Sequence, residues 1–586
     1  MKRVLLSLAI AALAQVALAE PFVWPSEWTV AEPGEAVSGG TLRTYDISNP
    51  RTFNPFVSAE SHASRDLLML QGASLLLLPP DSDEWIPYAA ESFEVSEDGT
   101  VVDLVLREGI KWSDGTPVTV QDYYFRYLAE TDPDVGSNAY DSWFIGEEQI
   151  QMEITGERSM RFIFPVPDRT AFPVIGSHFP APDHILGEIY REGGAEALKQ
   201  AWGLDVDVSE TVWTSPWVPT EFLPDERLIY TRNPYFGEWN VDEAGNPLPY
   251  LETYSFELVQ DQDAALNLYL AGDIDLFAPR NLDDIGVINV AIQNGDIDAT
   301  VIENASPVAS SQFIVFNWNY ASNPFKQELF RSADFRRAMS HLVPREAIVE
   351  LVYGGAASPM WSNVYQVLEY WVNPDVPKFE YDPEAAAELL AGLGFSRRNS
   401  DGWLVNAEGQ ELGFRIITNA GNNQREQIMQ LFADAARDIG VNVEAQTLDF
   451  NLLVEQLLSV GEDRPFEAIL IGLTGGSRDW PFGVNVIPCG TNLHAWNQDP
   501  SGECLSPQET LATNLYFEGR QTLDTEAARE IGYEIQNVLA SIQPLIFTVS
   551  PSAHYSWLNT VRGEHPAEFI NDLVGSREAV LTYKVQ

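Results

Sequence analysis

The chain has 586 residues and a mass of 65.3 kDa. It is too long for a single hydrophobic core, since such cores stop growing at roughly 250–300 residues, and we expect two or three domains. A composition of 45% hydrophobic and 20% charged residues suits a globular protein and excludes a disordered one. Its 34 basic and 86 acidic residues give a net charge of −52. Phosphate backbones and anionic membrane surfaces would repel such a chain, so we expect neither as a partner.

The first nineteen residues have the pattern of a secretory signal peptide. Lys2 and Arg3 precede a largely apolar run over residues 4–16, and Ala17-Leu18-Ala19 forms an A-x-A cleavage signal. The apolar run is shorter than the roughly 20 residues that a membrane span needs, and no cysteine stands at the cleavage site for lipidation. We therefore predict a mature chain that begins at Glu20 and is exported as a soluble protein to the periplasm.

Helix-capping residues locate several helices along the chain. Thr119 and Asp122 have the spacing of a capping box, and Asp382 precedes a proline that suits a first helical turn. Thr525 is expected to cap a long helix that ends near Pro544. These helices belong to the scaffold and do not by themselves indicate a chemistry.

A strand–helix–strand pattern follows later in the chain. Residues 414–418 are expected to form a strand, and apolar residues at helical spacing from Ile428 to Ile439 then form one face of a helix. Gly440 is well placed to end that helix, and residues 441–445 are expected to form the next strand. This βαβ unit predicts an α/β domain.

Enzyme signatures are absent from the sequence. It contains no G-x-S-x-G elbow, no H-E-x-x-H zinc motif and no glycine-rich phosphate or dinucleotide loop. The seven histidines are scattered, and the acidic clusters lack the spacing of a twelve-residue calcium loop. We therefore expect no catalytic residue, metal or cofactor. Two functions stay open beside a binding role: a secreted hydrolase, against which the missing motifs count, and a purely structural envelope protein.

The two cysteines, Cys489 and Cys504, lie in a stretch rich in Gly, Asn and Pro. In an oxidising compartment they can pair, and closing a loop of about 15 residues would contribute roughly 3 kcal/mol in the chain-entropy model. Two free thiols, or a metal site that includes His494, are the alternatives. We favour the disulfide.

Five sequence blocks resemble the family 5 extracellular solute-binding proteins, which are the dipeptide- and oligopeptide-binding components of ABC importers. The first block, residues 87–127, reads PYAAESFEVSEDGTVVDLVLREGIKWSDGTPVTVQDYYFRY. The second, residues 229–277, contains RNPYF and LAGDIDL. The others are residues 335–355, in which Pro344 stands where the family usually has Asp, residues 381–395, which read YDPEAAAELLAGLGF, and residues 525–547.

The resemblance implies an α/β fold with the two lobes of a periplasmic binding protein, of the large type II, cluster C-like kind, with an extra subdomain on lobe one. The chain is expected to cross the hinge near residues 306–312 and 544–550. The expected ranges are 20–57, 195–305 and 542–586 for lobe one (domain I), 58–194 for the extra subdomain (domain II) and 306–541 for lobe two (domain III).

The resemblance also implies a function. We expect a monomeric substrate-binding protein, without enzymatic activity, that captures peptides between its lobes and delivers them to the permease subunits of an ABC importer. Ligand would favour the closed form by bridging both lobes. Oligosaccharides are the alternative ligand class, because the chain has 16 tryptophans and an altered form of the family's aspartate motif. A nickel chelate or an opine-like solute is less favoured.

In peptide-binding members, the resemblance implies, an aspartate that follows a buried strand of the second lobe pairs with the ligand's α-amino group. The matching strand is residues 468–472, and Asp479 is the nearest acid. Arg478 is able either to pair with Asp479 or to hold a ligand carboxylate. Gly475 and Gly476 would let backbone approach a ligand closely. The other expected contacts are aromatic or lie at the cleft edge, with core or turn roles as their alternatives: Trp361, Trp480, Trp496, Asn54 and Phe56.

Overall fold

The structure is a computed structural model that describes most of the chain. The predicted signal peptide, residues 1–19, lies outside the described residues. In the part that is described, no helix is long and apolar enough to cross a membrane. The described residues are 20–28, 36–57, 62, 64, 72–79, 82, 84–563 and 577–585.

The strands are distributed over the whole described chain. In chain order they are β1 (Phe22–Trp24), β2 (Thr41–Asp46), β3 (Leu76–Leu77), β4 (Ile86–Pro87), β5 (Ala90–Val95), β6 (Val101–Leu106), β7 (Phe144–Ile145), β8 (Glu148–Gln149), β9 (Gln151–Ile154), β10 (Ser159–Ile163), β11 (Trp217–Leu223), β12 (Arg227–Arg232), β13 (Asn240–Asp242), β14 (Thr253–Leu258), β15 (Leu276–Phe277), β16 (Ala299–Pro307), β17 (Gln312–Phe316), β18 (Ala357–Pro359), β19 (Arg397–Arg398), β20 (Leu404–Val405), β21 (Gly413–Asn419), β22 (Asn442–Leu448), β23 (Ala468–Ile471), β24 (Leu545–Leu558), β25 (Val561–Arg562) and β26 (Tyr583–Lys584).

The α-helices are concentrated in the second half of the chain. They are α1 (Val120–Thr131), α2 (Ala171–Gly176), α3 (Glu188–Gln200), α4 (Gln262–Ala271), α5 (Leu282–Asn294), α6 (Pro324–Arg331), α7 (Ala333–His341), α8 (Arg345–Val352), α9 (Pro383–Gly392), α10 (Asn423–Asp438), α11 (Phe450–Leu458), α12 (Pro507–Gln521) and α13 (Thr525–Ile542). Short 3-10 or π turns occur at Ser26–Trp28, Tyr140–Trp143, Asp183–Gly187, Val208–Glu210, Phe236–Glu238, Gln366–Trp371 and Arg577–Leu581.

Most of the predicted local signals are confirmed. Thr119 and Asp122 form a capping box at the start of α1, and the side chain of Asp382 accepts hydrogen bonds from the first turn of α9. The cap predicted for α13 is wrong. The side chain of Asp524, not that of Thr525, accepts the Ala527 N–H at 2.8 Å, because Asp524 still has an extended backbone while Thr525 is already helical.

Three sheets organise the molecule. One joins β11, β12, β14 and β2, and a second joins β5, β6, β10 and β9. The largest has the order β15-β24-β17-β23-β21-β22, with β16 and β18 also paired to β24. The predicted βαβ unit is confirmed, since β21 and β22 pair in parallel and α10 connects them.

Strand β24 belongs to both halves of the largest sheet. Its first half pairs with β17 and β18, and its second half pairs with β15 and β16. One large hydrophobic cluster surrounds β17, β21 and β23, and another joins the β2–β14 sheet to the β5–β10 sheet. The names lobe one, extra region and lobe two denote the three predicted sets of ranges, whose boundaries remain a prediction.

Candidate ligand-binding cleft

A cavity of about 540 Å³ lies where lobe one, the extra region and lobe two meet. Lobe one contributes the last residue of β2, Asp46, and the two residues after it, and the extra region contributes Asn138. Lobe two supplies most of the remaining wall, including apolar side chains from α11 and β23. A mostly apolar concave site with a few polar groups is the usual form of a small-molecule pocket.

Arg425, in the first turn of α10, is the cation of this cavity. Its Nε donates to Gln312 Oε1 and its Nη1 to Asn419 Oδ1, each at 2.9 Å. Among the described residues no carboxylate pairs with it and Nη2 has no hydrogen-bond acceptor. Burial lowers the pKa of Arg425 to about 10, so the guanidinium stays charged at neutral pH. A buried cation with open donors favours an anionic ligand group.

Asp46 lines the cavity from lobe one, but its oxygens are already engaged. Oδ1 accepts the Ile47 N–H at 2.8 Å, and Oδ2 accepts both the N–H and the hydroxyl of Ser64 at 3.0 and 2.9 Å. Burial raises the pKa of Asp46, against the effect of these bonds. Asp46 therefore holds the end of β2 in place, which leaves Arg425 as the charged lining residue with free bonding capacity.

The neutral polar lining consists mostly of amides. Asn422 caps α10 through its side-chain oxygen, which accepts the Arg425 N–H at 3.0 Å, and buried Tyr365 presents a phenol whose pKa is raised by burial. Amides offer both donors and acceptors, so they suit a ligand with peptide groups or hydroxyls. The lining asparagines are Asn138, Asn363, Asn419, Asn422 and Asn485.

The loop after β23 lines the cavity with backbone. Gly475 and Gly476 are exposed, lie on the cavity wall and have φ angles of 87° and 136°, which L side chains rarely adopt. Their contact with ligand remains a prediction.

The next residues of this loop lie outside the interlobe cavity. Arg478 and Asp479 line a separate cavity of about 520 Å³ together with Arg169 and Trp371. The Asp479 carbonyl accepts Arg169 Nε at 2.6 Å, and the Arg478 carbonyl accepts Trp371 Nε1 at 2.9 Å. The structure thus places Asp479 and Arg478 on a different cavity from the glycines, although the loop returns to the interlobe cavity at Pro481. Their contact with ligand remains a prediction.

The three predicted tryptophans are also absent from the interlobe cavity. Trp480 and Trp496 are buried in the core of lobe two, where Trp480 packs on Trp371 and Trp496 donates to Glu509 at 2.9 Å. Trp361 stacks under the Arg345 guanidinium at 4.1 Å. Trp361 and Trp496 line a small adjoining pocket that shares Asn363 with the interlobe cavity. Ligand contact by the three tryptophans remains a prediction.

The two residues predicted at the cleft edge, Asn54 and Phe56, are buried and are not among the residues that line the interlobe cavity. The Asn54 side chain is buried and donates to the carbonyl groups of Leu198 and Ala201 at 2.6 and 2.9 Å, while its oxygen accepts the Phe56 N–H at 2.9 Å. Phe56 is buried against Phe125. Both residues fix the segment after β2 to the remainder of the fold.

The sequence and the fold both have known relatives. The family model for bacterial extracellular solute-binding proteins, family 5 (middle), matches residues 84–492. A probable ABC transporter-binding protein of Deinococcus radiodurans is 37% identical over 598 residues and is covered over its whole length, as is this chain. The chain belongs to the family 5 extracellular solute-binding proteins.

Solved structures show the same two-lobed fold. The oligopeptide-binding protein AppA of Bacillus subtilis, in complex with a nonapeptide, superposes with a TM-score of 0.79 at 22% identity, over 94% of this chain and all of that one. The periplasmic binding protein MelB of Agrobacterium fabrum, in complex with stachyose, gives 0.81 at 19% identity, over 96% and 87%. The α/β periplasmic-binding-protein fold expected from the sequence is thus confirmed.

The predicted disulfide is confirmed in this family 5 chain. Cys489 and Cys504 are bonded, and the loop that they close carries Leu493 onto the cavity wall. His494 Nε2 lies 3.2 Å from Glu509 Oε1 in the buried space beside the disulfide. The bonded sulfur of Cys489 is not available as a thiolate ligand, so the alternative of a cysteine metal site does not hold for this state.

Sequence reasoning missed Arg425 and the lining asparagines. A signal was present, because residues 419–425 follow a predicted strand and open a predicted helix, and side chains at the carboxyl end of such a strand often bind ligands. The family resemblance pointed to the loop after β23 instead.

Proposed function

We propose that this chain is the substrate-binding protein of an ABC importer and that it carries peptides through the periplasm to a membrane permease. Membership of family 5 supports the class of receptor, and the cavity between the lobes supports a solute ligand. The signal peptide predicted at residues 1–19 supports export of the chain across the inner membrane.

Arg425 carries the proposal of a peptide ligand. Its Nη2 has no protein acceptor among the described residues, and a peptide's terminal carboxylate supplies both the missing charge and the missing acceptor. The asparagine amides around it can bond to the peptide backbone in either direction. The apolar side chains of α11 and β23 then bury side chains of the peptide without demanding one sequence.

Closure around the ligand follows from contacts that join the lobes. Asn423 Nδ2 donates to Asp263 Oδ2 at 3.2 Å, Gln424 Nε2 donates to the Arg280 carbonyl at 3.1 Å, and Asn451 Nδ2 reaches the Asn49 carbonyl at 3.3 Å. These three bonds are polar and at most partly buried. A ligand that touches both walls therefore adds the free energy that favours the closed form.

An oligosaccharide is the second candidate ligand. The five asparagines on the cavity wall favour it, because amides bond readily to hydroxyl groups. The location of the tryptophans disfavours it, since the sugar-stacking side chains that we expected are not in the cavity.

Titration calorimetry with three ligands tests the proposal: a synthetic nonapeptide with a free carboxylate, the same peptide as its C-terminal amide, and stachyose. We expect the acid to bind, the amide to bind at least tenfold more weakly, and stachyose not to bind. Binding of stachyose alone would replace the peptide proposal by the oligosaccharide one. Mass spectrometry of the peptide recovered after the titration tests the secreted-hydrolase alternative. A hydrolase would leave cleavage products, whereas a receptor returns the peptide intact.

A further inference from the structure

We propose that Asp168 and Arg520 form a latch that holds the extra region against lobe two in the closed form and so sets how long ligand stays bound. This inference rests on the proposed function, because it concerns closure around a ligand. Asp168 lies in the extra region after β10, and Arg520 lies near the end of α12 in lobe two. Neither residue lines the interlobe cavity.

The two side chains make a close and fully buried ion pair. Arg520 Nη2 lies 2.7 Å from Asp168 Oδ2, and Nε lies 3.0 and 3.1 Å from the two carboxylate oxygens. The side chains are 1% and 0% exposed. Among the ion pairs of the described residues, most others keep at least one partner in contact with solvent.

Arg520 inserts into a socket that belongs to the extra region. Its Nη1 donates to the Phe144 carbonyl at 2.8 Å and its Nη2 to the Ser142 carbonyl at 3.4 Å, so these acceptors and Asp168 all come from across the boundary. The Asp168 carboxylate is itself held in place, since its Oδ1 accepts hydrogen bonds from both the N–H and the hydroxyl of Thr170 at 2.8 and 2.9 Å.

The neighbouring residue connects this contact to the ligand cavity. Arg169 N donates to the Arg520 carbonyl at 3.1 Å, and Arg169 Nε donates to the Asp479 carbonyl at 2.6 Å. Asp479 follows three residues after Gly476, which lies on the cavity wall. A ligand that positions the loop after β23 therefore also positions the Asp479 carbonyl, which accepts the hydrogen bond from Arg169 of the extra region.

Electrostatics makes the pair sensitive to the loss of either charge. When the lobes are apart, water solvates both groups. On closure each group loses its hydration, and the ion pair with the other group offsets this loss. A variant that lacks one partner must close with an uncompensated buried charge, which is strongly unfavourable, whereas a variant that lacks both charges avoids this cost. Coupling between the two substitutions is therefore the signature of the latch.

The test compares Asp168→Asn, Arg520→Gln and the double variant, all in the mature full-length protein. Asp103→Asn is the matched control, because the Asp103–Arg161 pair lies within the extra region and is about 40% exposed on both sides. The first readout is the release rate of a dansylated nonapeptide in stopped flow. The second is amide hydrogen exchange of residues 168–170, measured with and without peptide.

We expect each single variant to release the peptide at least tenfold faster and to lose exchange protection at Arg169 by a similar factor. The double variant should return to within about threefold of the unmodified protein, and the Asp103 variant should behave like that protein. Release rates within twofold in both single variants, or additive losses in the double variant, would overturn the latch. If the unmodified protein binds no peptide, the proposed function fails; the release rates are then measured with stachyose as the ligand, and the same outcomes decide the latch.

Discussion

At the scale of single residues, we expect recognition of the ligand to depend on Arg425. Removing the guanidinium in Arg425→Gln takes away a charge-assisted hydrogen bond of about 1.5–3 kcal/mol, so the affinity for a free-carboxylate peptide should fall roughly 10- to 100-fold. Titration calorimetry measures this loss. The affinity for the C-terminal amide should change much less, because the amide offers no charge for Arg425 to meet.

Arg415 provides the control for this experiment. It lies on β21 with an exposed side chain, so Arg415→Gln removes the same charge from the same lobe without touching the cavity. Equal losses in the two variants would show that the effect is a general electrostatic one, and would contradict a specific contact at Arg425.

The site could be predicted only in part because burial of a side chain is set by distant packing. Gly475 and Gly476 lie on the cavity wall, as the pattern after β23 indicated. Trp480, further along the same loop, instead fills the space beside Trp371 and Gly519. No local signal distinguishes a tryptophan in a core from one in a cleft.

At the scale of elements, the corrected cap of α13 gives a direct comparison of neighbouring residues. Asp524→Ala removes the side chain that accepts the Ala527 N–H, so it should lower the free energy of unfolding by about 1 kcal/mol. Thr525→Ala lies one residue inside the helix and should cost less than half of that. Denaturant titration of both variants checks this order, and the reverse order would restore Thr525 as the cap.

The disulfide loop makes a second prediction at this scale. Replacing both cysteines by serine frees the loop between Cys489 and Cys504, and the chain-entropy model puts the loss at about 3 kcal/mol for a loop of this length. Thermal unfolding of the double variant should show a lower midpoint. Ligand affinity should fall as well, because the loop holds Leu493 on the cavity wall; an unchanged midpoint would contradict a stabilising role.

The elements themselves were predictable where the signal is local. The βαβ unit of β21, α10 and β22 has strong periodicity and clear caps, so its pattern alone predicts it. The short strands β15 and β18 were not predictable, because two or three residues carry no period. They are strands only because β24, far along the chain, pairs with them.

At the scale of the whole molecule, closure should depend on pH through Asp141. This carboxylate in the extra region accepts the Asn492 N–H of lobe two at 3.3 Å, and burial raises its pKa to about 6. In the open form it is solvated and its pKa should be about 3.9. The closed form therefore binds the proton more tightly than the open form, so protonation of Asp141 stabilises closure. This stabilisation is fully present below about pH 4 and is lost as the pH rises through about 6.

Peptide affinity measured between pH 4 and 7 checks this linkage. We expect it to weaken by roughly 50-fold across that range, since each unit of pKa shift corresponds to a tenfold change and the rise from about 3.9 to about 6 is about two units. Asp141→Asn should make the peptide affinity independent of pH in this range, at the value that the unmodified protein has near pH 4. A variant with an unchanged slope would show that another group carries the pH dependence.

The central claim is that the lobes enclose a peptide, and native mass spectrometry of the mature protein, purified gently from its own host, tests it most directly. A receptor with slow release keeps its ligand through purification, so we predict an added mass that is lost on denaturation and fragments into amino acids. An added mass that fragments with hexose spacing would contradict the peptide assignment and support an oligosaccharide in its place.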